Sequence, residues 1–200
     1  IATRRGPAQA RASALLLLTL RGTPFIYYGE ELGMEDVGIP KNQLKDGFIE
    51  TSDGVYSRDP ERTPMQWDDT THAGFTIGKP WLPVSKDYKI LNVENQISDP
   101  HSMLNLYRTL INFRNNSDAL LRGSYHSIQT KSPNVFAFIR ESEKEKLLIF
   151  INFSSQIITE PFEFVVGRMI VSTHMDHMNL PVSHEITLRP YEACLVSLTN

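Results

Sequence analysis

The sequence predicts an α/β unit followed by an all-β domain. Two observations carry this. An apolar helical pattern over residues 7–20 leads at once into a short apolar run, Phe25 to Gly29, of the kind that forms a strand buried on both faces. Beyond Gly123 the texture changes to short β-rich runs at the roughly 8–14-residue spacing of a small antiparallel sandwich.

The elements follow in order. In "PAQARASALLLLTL" (7–20), Pro7 suits a first turn, Ala and Leu favour helix, and Arg21-Gly22 close it. The leucine run leaves little polar face, so the helix is expected to pack against something large. "FIYYG" (25–29) is bounded by Pro24 and Gly29 and reads as a strand. Residues 33–95 are polar and irregular, far longer than the ~12–15 residues at which structureless loops become unusual. Asp99-Pro100 signal a helix start, and Met103, Tyr107, Leu110, Ile111 and Arg114 then share one stripe as far as Asn115-Asn116. "SDALLRG" reads as a short turn. The expected strands are "YHSIQT", "VFAFIRE", "KLLIFINF", "PFEFVV", "RMIVST", "HEITL" and "ACLVSL". The expected boundary lies near residue 122.

Composition narrows the function. The chain has 200 residues, 40% hydrophobic and 22% charged, as a globular protein does. Its net charge of -3 and scattered basic residues give no nucleic-acid surface. The run "ASALLLL" falls far short of the ~20 residues of a membrane span. The single cysteine, Cys194, allows no internal disulfide and leans the location toward the cytoplasm. His174 and His177 have too few companions at ligand spacing for a zinc site. No phosphate loop, nucleophile elbow or Ser/His/Asp arrangement is legible, and no cofactor is expected.

The chemistry concentrates in the long loop. Glu30 and Glu31 follow the expected strand, at the end where α/β barrels place catalytic residues, but either can equally hold a neighbouring loop. Arg58, Asp59, Glu61 and Arg62 form a dense charged patch. A loop arginine suits sugar hydroxyls or carboxylates, and a salt-bridge network fits the same composition. Trp67 and Trp81, the only tryptophans, read as sugar platforms or as half-buried anchors.

"GTPFIYYGEELGM", "SRDPERTPMQW", "HAGFT", "KPWLPV" and "ITLRPYEACLVSL", in this order, resemble the α-amylase superfamily of glycoside hydrolases, in its α-glucosidase and oligo-1,6-glucosidase branch. The resemblance covers essentially the whole chain. It implies that residues 1–122 are the C-terminal part of a (β/α)8 TIM barrel: helix seven at 7–20, strand eight at 23–29, the eighth βα loop at 33–95 and helix eight at 99–115. Residues 123–200 would be the β-sandwich that follows.

Such enzymes retain configuration and use two carboxylates ~5–5.5 Å apart as nucleophile and acid/base. The resemblance puts those groups, and the Asn-His-Asp carboxylate, upstream of Ile1. The chain is then expected to be part of a longer protein, to carry no catalytic residue and to be inactive alone. Arg58 matches the family's arginine that contacts the terminal glucose. Asp59, Arg62 and Trp67 are expected to fix the loop, and Glu30 to be structural. The implied partner is an oligosaccharide, with no metal, nucleic acid or membrane. Two relatives of this branch are alternatives: a glucose-transferring isomerase of the trehalose synthase or sucrose isomerase type, and the non-enzymatic ectodomain of an amino-acid transporter heavy subunit.

Overall fold

The computed structural model describes residues 1–51, 54–162 and 167–198. The chain forms two compact units. One comprises residues 1–4 and 26–104, the other residues 5–25 and 105–200.

The second unit begins with α1 (Ala2–Thr19), which is broken at Gly6, where φ is +77°. The uninterrupted helix therefore starts at Pro7, whose fixed φ and missing N–H suit a first turn. Ala12, Ala14, Leu15 and Leu18 are buried.

Residues 25–29 do not form the expected strand. They pair with no strand among the described residues, and Phe25 is 84% exposed. The apolar pattern is present, but a parallel strand also needs neighbours to take its N–H and C=O groups.

The first unit is the long loop, and it is more ordered than the sequence suggests. It contains an antiparallel hairpin of β1 (Phe48–Thr51) and β2 (Gly54–Ser57). It ends in α2 (Val93–Ser98), capped by Asn92, whose side chain accepts a hydrogen bond from the Asn95 N–H at 2.8 Å. A tight turn at residues 71–74 has three successive left-handed residues, His72, Ala73 and Gly74, with φ of 61°, 57° and 64°. The Ala73 carbonyl accepts from the Trp67 and Asp68 N–H groups, which closes the turn on itself.

The next helix, α3 (Met103–Asn116), starts later than Asp99-Pro100 would have it. The Gln96 side chain reaches over from α2 and accepts from the Leu104 N–H at 2.9 Å, so the chain turns once more before the helix begins. Met103, Leu106, Tyr107, Leu110 and Arg114 are its buried face. "SDALLRG" is a short helix, α4 (Asp118–Arg122), with Ser117 as its N-cap.

The sandwich uses β3 (Ser124–Ile128), β4 (Val135–Glu141), β5 (Lys146–Asn152), β6 (Ile158–Pro161), β7 (Gly167–Ser172), β8 (Pro181–Val182), β9 (Glu185–Leu188) and β10 (Ala193–Leu198). A six-stranded antiparallel sheet runs β3-β4-β5-β10-β7-β8, and β6 pairs with β9 in a second sheet. Of the expected strand "PFEFVV", the last four residues lie outside the described residues. Alternate residues divide the central strands. One face, with Ala137, Leu148, Phe150, Cys194 and Val196, joins Ile186 and Leu188 of β9 in a core.

The other face of β4 carries Phe138 and Arg140. Arg140 is 1% exposed and donates to the carbonyls of Thr19, Ala119, Leu120, Gly123 and Ser124. It thereby ties the C-terminal ends of α1 and α4 to the sheet. Arg114 likewise donates to the carbonyls of Leu18, Leu20 and Gly22. Burial pushes both guanidinium pKa values down from the ordinary arginine value.

Candidate functional site

Three of the residues singled out in the sequence converge. Arg58 and Asp59 follow β2 directly, and Asp59 opens a single helical turn over Asp59–Glu61 that brings Arg62 back beside them. Asp59 is fully buried, and its Oδ2 accepts from the Lys45 and Asp46 N–H groups at 2.5 and 2.9 Å. This pins residues 45–46 alongside the end of β2. Its other oxygen, Oδ1, is buried with no partner among the described residues.

The pinned segment presents Asp46. Arg58 grips this carboxylate side-on, Nε to Oδ2 at 2.6 Å and Nη2 to Oδ1 at 3.1 Å. Arg62 adds Nη1 to Oδ2 at 3.1 Å. The bond from Arg58 holds the Asp46 carboxyl below its ordinary pKa, and the same bond raises Arg58 above its own. The Arg58 side chain nevertheless stays 59% exposed, while Asp46 is 21% exposed. The arrangement is an arginine at the surface, oriented from behind by a carboxylate and free to meet a ligand in front.

Sequence reasoning missed Asp46. "LKDG" reads as an ordinary turn, and the partner of Asp46 lies across a hairpin, where no spacing signals it.

Glu30 and Trp67 do not join this cluster. Glu30 accepts from the Tyr27 N–H at 3.3 Å and closes its own turn. Trp67 is half-exposed, and its backbone is tied to Ala73 and Glu94. Its ring lines an apolar concavity of about 380 Å³ with Tyr28, Met65, Phe75 and Trp81, where Glu31 is the one carboxylate.

In the sandwich, the possible ligand atoms of Asp176, His177 and Glu192 lie within 4.8 Å of one another. Arg189 already engages both carboxylates, at 2.6 and 2.7 Å to Asp176 and 2.6 Å to Glu192. It holds Asp176 far below the usual carboxylate range. Burial would raise Glu192, but the bonds from Arg189 and Ser172 outweigh it and leave the carboxyl lowered. The group is an ion-pair network that ties β7 to the start of β10. His174 stands outside it, and burial lowers its pKa. Cys194 is buried, and its thiol pKa is raised by that burial. Among the described residues no helix is long and apolar enough to cross a membrane.

Residues 2–123 match the alpha-amylase catalytic domain, and residues 125–195 match the maltogenic amylase C-terminal domain. The oligo-1,6-glucosidase of Bacillus cereus is 36% identical over 94% of this chain and 38% of its own length. That of Halalkalibacterium halodurans is 38% identical over 92% of this chain and 36% of its own length. Among solved structures, the isomaltulose synthase of Klebsiella sp. LX3 superposes with a TM-score of 0.86 at 29% identity, over 99% of this chain and 40% of that one. The chain thus spans well under half the length of the relatives it matches. With an amylase-type catalytic region followed by its C-terminal sandwich, the chain belongs to the α-amylase family of glycoside hydrolases.

Proposed function

We propose that the chain is part of a retaining, exo-acting α-glucosidase that releases terminal α-linked glucose from maltose- or isomaltose-type oligosaccharides. The observation that carries this is Arg58, exposed yet fixed side-on by Asp46, within the stretch "SRDPERTPMQW". A guanidinium held by one edge presents its other edge to sugar hydroxyls as a rigid donor. Asp59, Arg62 and Trp67 hold the loop around it, and Glu30 closes the turn before it.

Residues 1–122 complete a catalytic barrel and 123–200 form the sandwich. In the whole protein, "FIYYG" takes its place between neighbouring strands. The catalytic carboxylates come from outside residues 1–200, so the isolated chain does not turn over substrate. The reaction is a double displacement through a glycosyl-enzyme. The one buried cysteine fits a protein that folds without disulfides, and we place it in the cytoplasm.

The test is Arg58→Ala in the complete polypeptide. Loss of a charged donor to substrate, typically worth ~1.5–3 kcal/mol, lowers kcat/KM for an aryl α-glucoside by about tenfold or more. Unchanged kinetics remove Arg58 from the sugar pocket. The likeness to an isomaltulose synthase favours a second reading, transfer of the glucosyl group to another sugar. Product analysis separates the two: free glucose alone marks hydrolysis, and a rearranged disaccharide marks transfer.

A further inference from the structure

We propose that Asp46 is the positioning residue of Arg58, setting the orientation in which the guanidinium meets the terminal glucose. The inference rests on the reading of Arg58 given above.

Four donors fix the carboxylate. Oδ2 accepts from Arg58 Nε and Arg62 Nη1, and Oδ1 from Arg58 Nη2 and the Gly47 N–H. The backbone that carries it is fixed too, because its N–H and that of Lys45 both end on the buried Asp59. Asp46 therefore cannot follow Arg58 if the arginine swings. Arg58 must conform to Asp46.

The contact is also directional. Nε and Nη2 form one edge of the guanidinium plane. Holding that edge by two bonds removes rotation about the last side-chain torsions and turns Nη1 away from Asp46. A long, exposed arginine otherwise samples many rotamers and loses that freedom on binding sugar. Asp46 has a second effect, since two arginines share one of its oxygens. Without the carboxylate their like charges face each other and push Arg58 out of place.

The experiment is a double-mutant cycle in the complete polypeptide, with Arg58→Ala, Asp46→Ala and the double variant. It reads kcat and KM on an aryl α-glucoside, inhibition by free glucose, and Tm. Asp46→Ala is expected to lower kcat/KM and weaken glucose inhibition, each by about tenfold, and to lose that effect in the Arg58→Ala background, as coupled neighbours do. Asp46→Asn, which keeps the shape and one carbonyl acceptor, recovers part of the loss.

An equal loss in both backgrounds means that Asp46 only props the loop and overturns the inference. So does unchanged kinetics in Asp46→Ala. If Arg58→Ala itself keeps full kcat/KM, the reading of Arg58 has failed and the positioning role falls with it, an outcome visible before the cycle is closed. Should Asp46→Ala lower Tm sharply, Asp46→Asn in the two backgrounds decides by the same criterion.

Discussion

Asp59 in the loop unit and Arg140 in the sandwich unit are each almost completely buried, and each is aimed at backbone. Asp59 takes two N–H groups of a turn, Arg140 five C=O groups at the ends of helices and at a strand. The sign of each charge follows from what the local structure leaves unpaired. Turns expose N–H groups, and helix C-termini expose carbonyls. What surrounds the two charges differs as well. Around Arg140 lies a sheet with both faces of its central strands buried, while the loop unit has few large buried apolar side chains described, among them Leu32, Met65 and Leu82. The comparison teaches that the sandwich unit can absorb the loss of a contact through its core, whereas the loop unit depends on each polar contact for its local shape.

The comparison can be broken most forcefully at Arg140. Arg140→Met in the complete polypeptide leaves several buried carbonyls without donors, at about 1–3 kcal/mol each. A total loss of about 3 kcal/mol or more is expected in denaturant unfolding. A loss under about 0.5 kcal/mol, the range of an ordinary surface change, would show that water replaces the guanidinium.

Asp59→Ala has a smaller and local effect. The amides of Lys45 and Asp46 lose their acceptor, about 1–3 kcal/mol in local opening. Their hydrogen exchange accelerates while the amides of β5 keep their protection. Equal acceleration in both would erase the distinction between the units.

The smallest effect comes from acid. The folded pKa of Asp46 is lowered, so its contribution is complete above the ordinary carboxylate value of ~3.9 and fades as pH falls through the folded value. The Arg58 Nε–H signal is therefore expected to be unchanged from pH 7 to 5 and to shift only below the ordinary range. A shift already near pH 5 would mean that the pair does not persist in solution.

The central strands β4, β5 and β10 were legible because long apolar runs name a buried strand wherever they occur. The two arginine clamps were not. Arg140 meets the Thr19 carbonyl 121 residues away, and nothing in either neighbourhood announces it. At "FIYYG" the pattern names a strand but cannot supply the neighbours that make one. The start of α3 was misplaced for a related reason: Asp99-Pro100 carries the usual signal, and a glutamine from the preceding helix overrides it. In the candidate site, Arg58, Asp59 and Arg62 stood out as charges crowded on a loop. The carboxylate that organises them did not, because the hairpin, not the sequence, makes it their neighbour.

The turn at residues 72–74 has a consequence in handedness. Three residues in succession wind opposite to the natural bias of L-amino acids, and two of them, His72 and Ala73, are not glycine. The bias opposes the turn by about 1–2 kcal/mol at each such position. A mirror-image residue reverses that sign. D-alanine at position 73, introduced by chemical synthesis, would sit relaxed where the natural residue is strained. This short turn is thus one place in the molecule where the opposite enantiomer is the better fit.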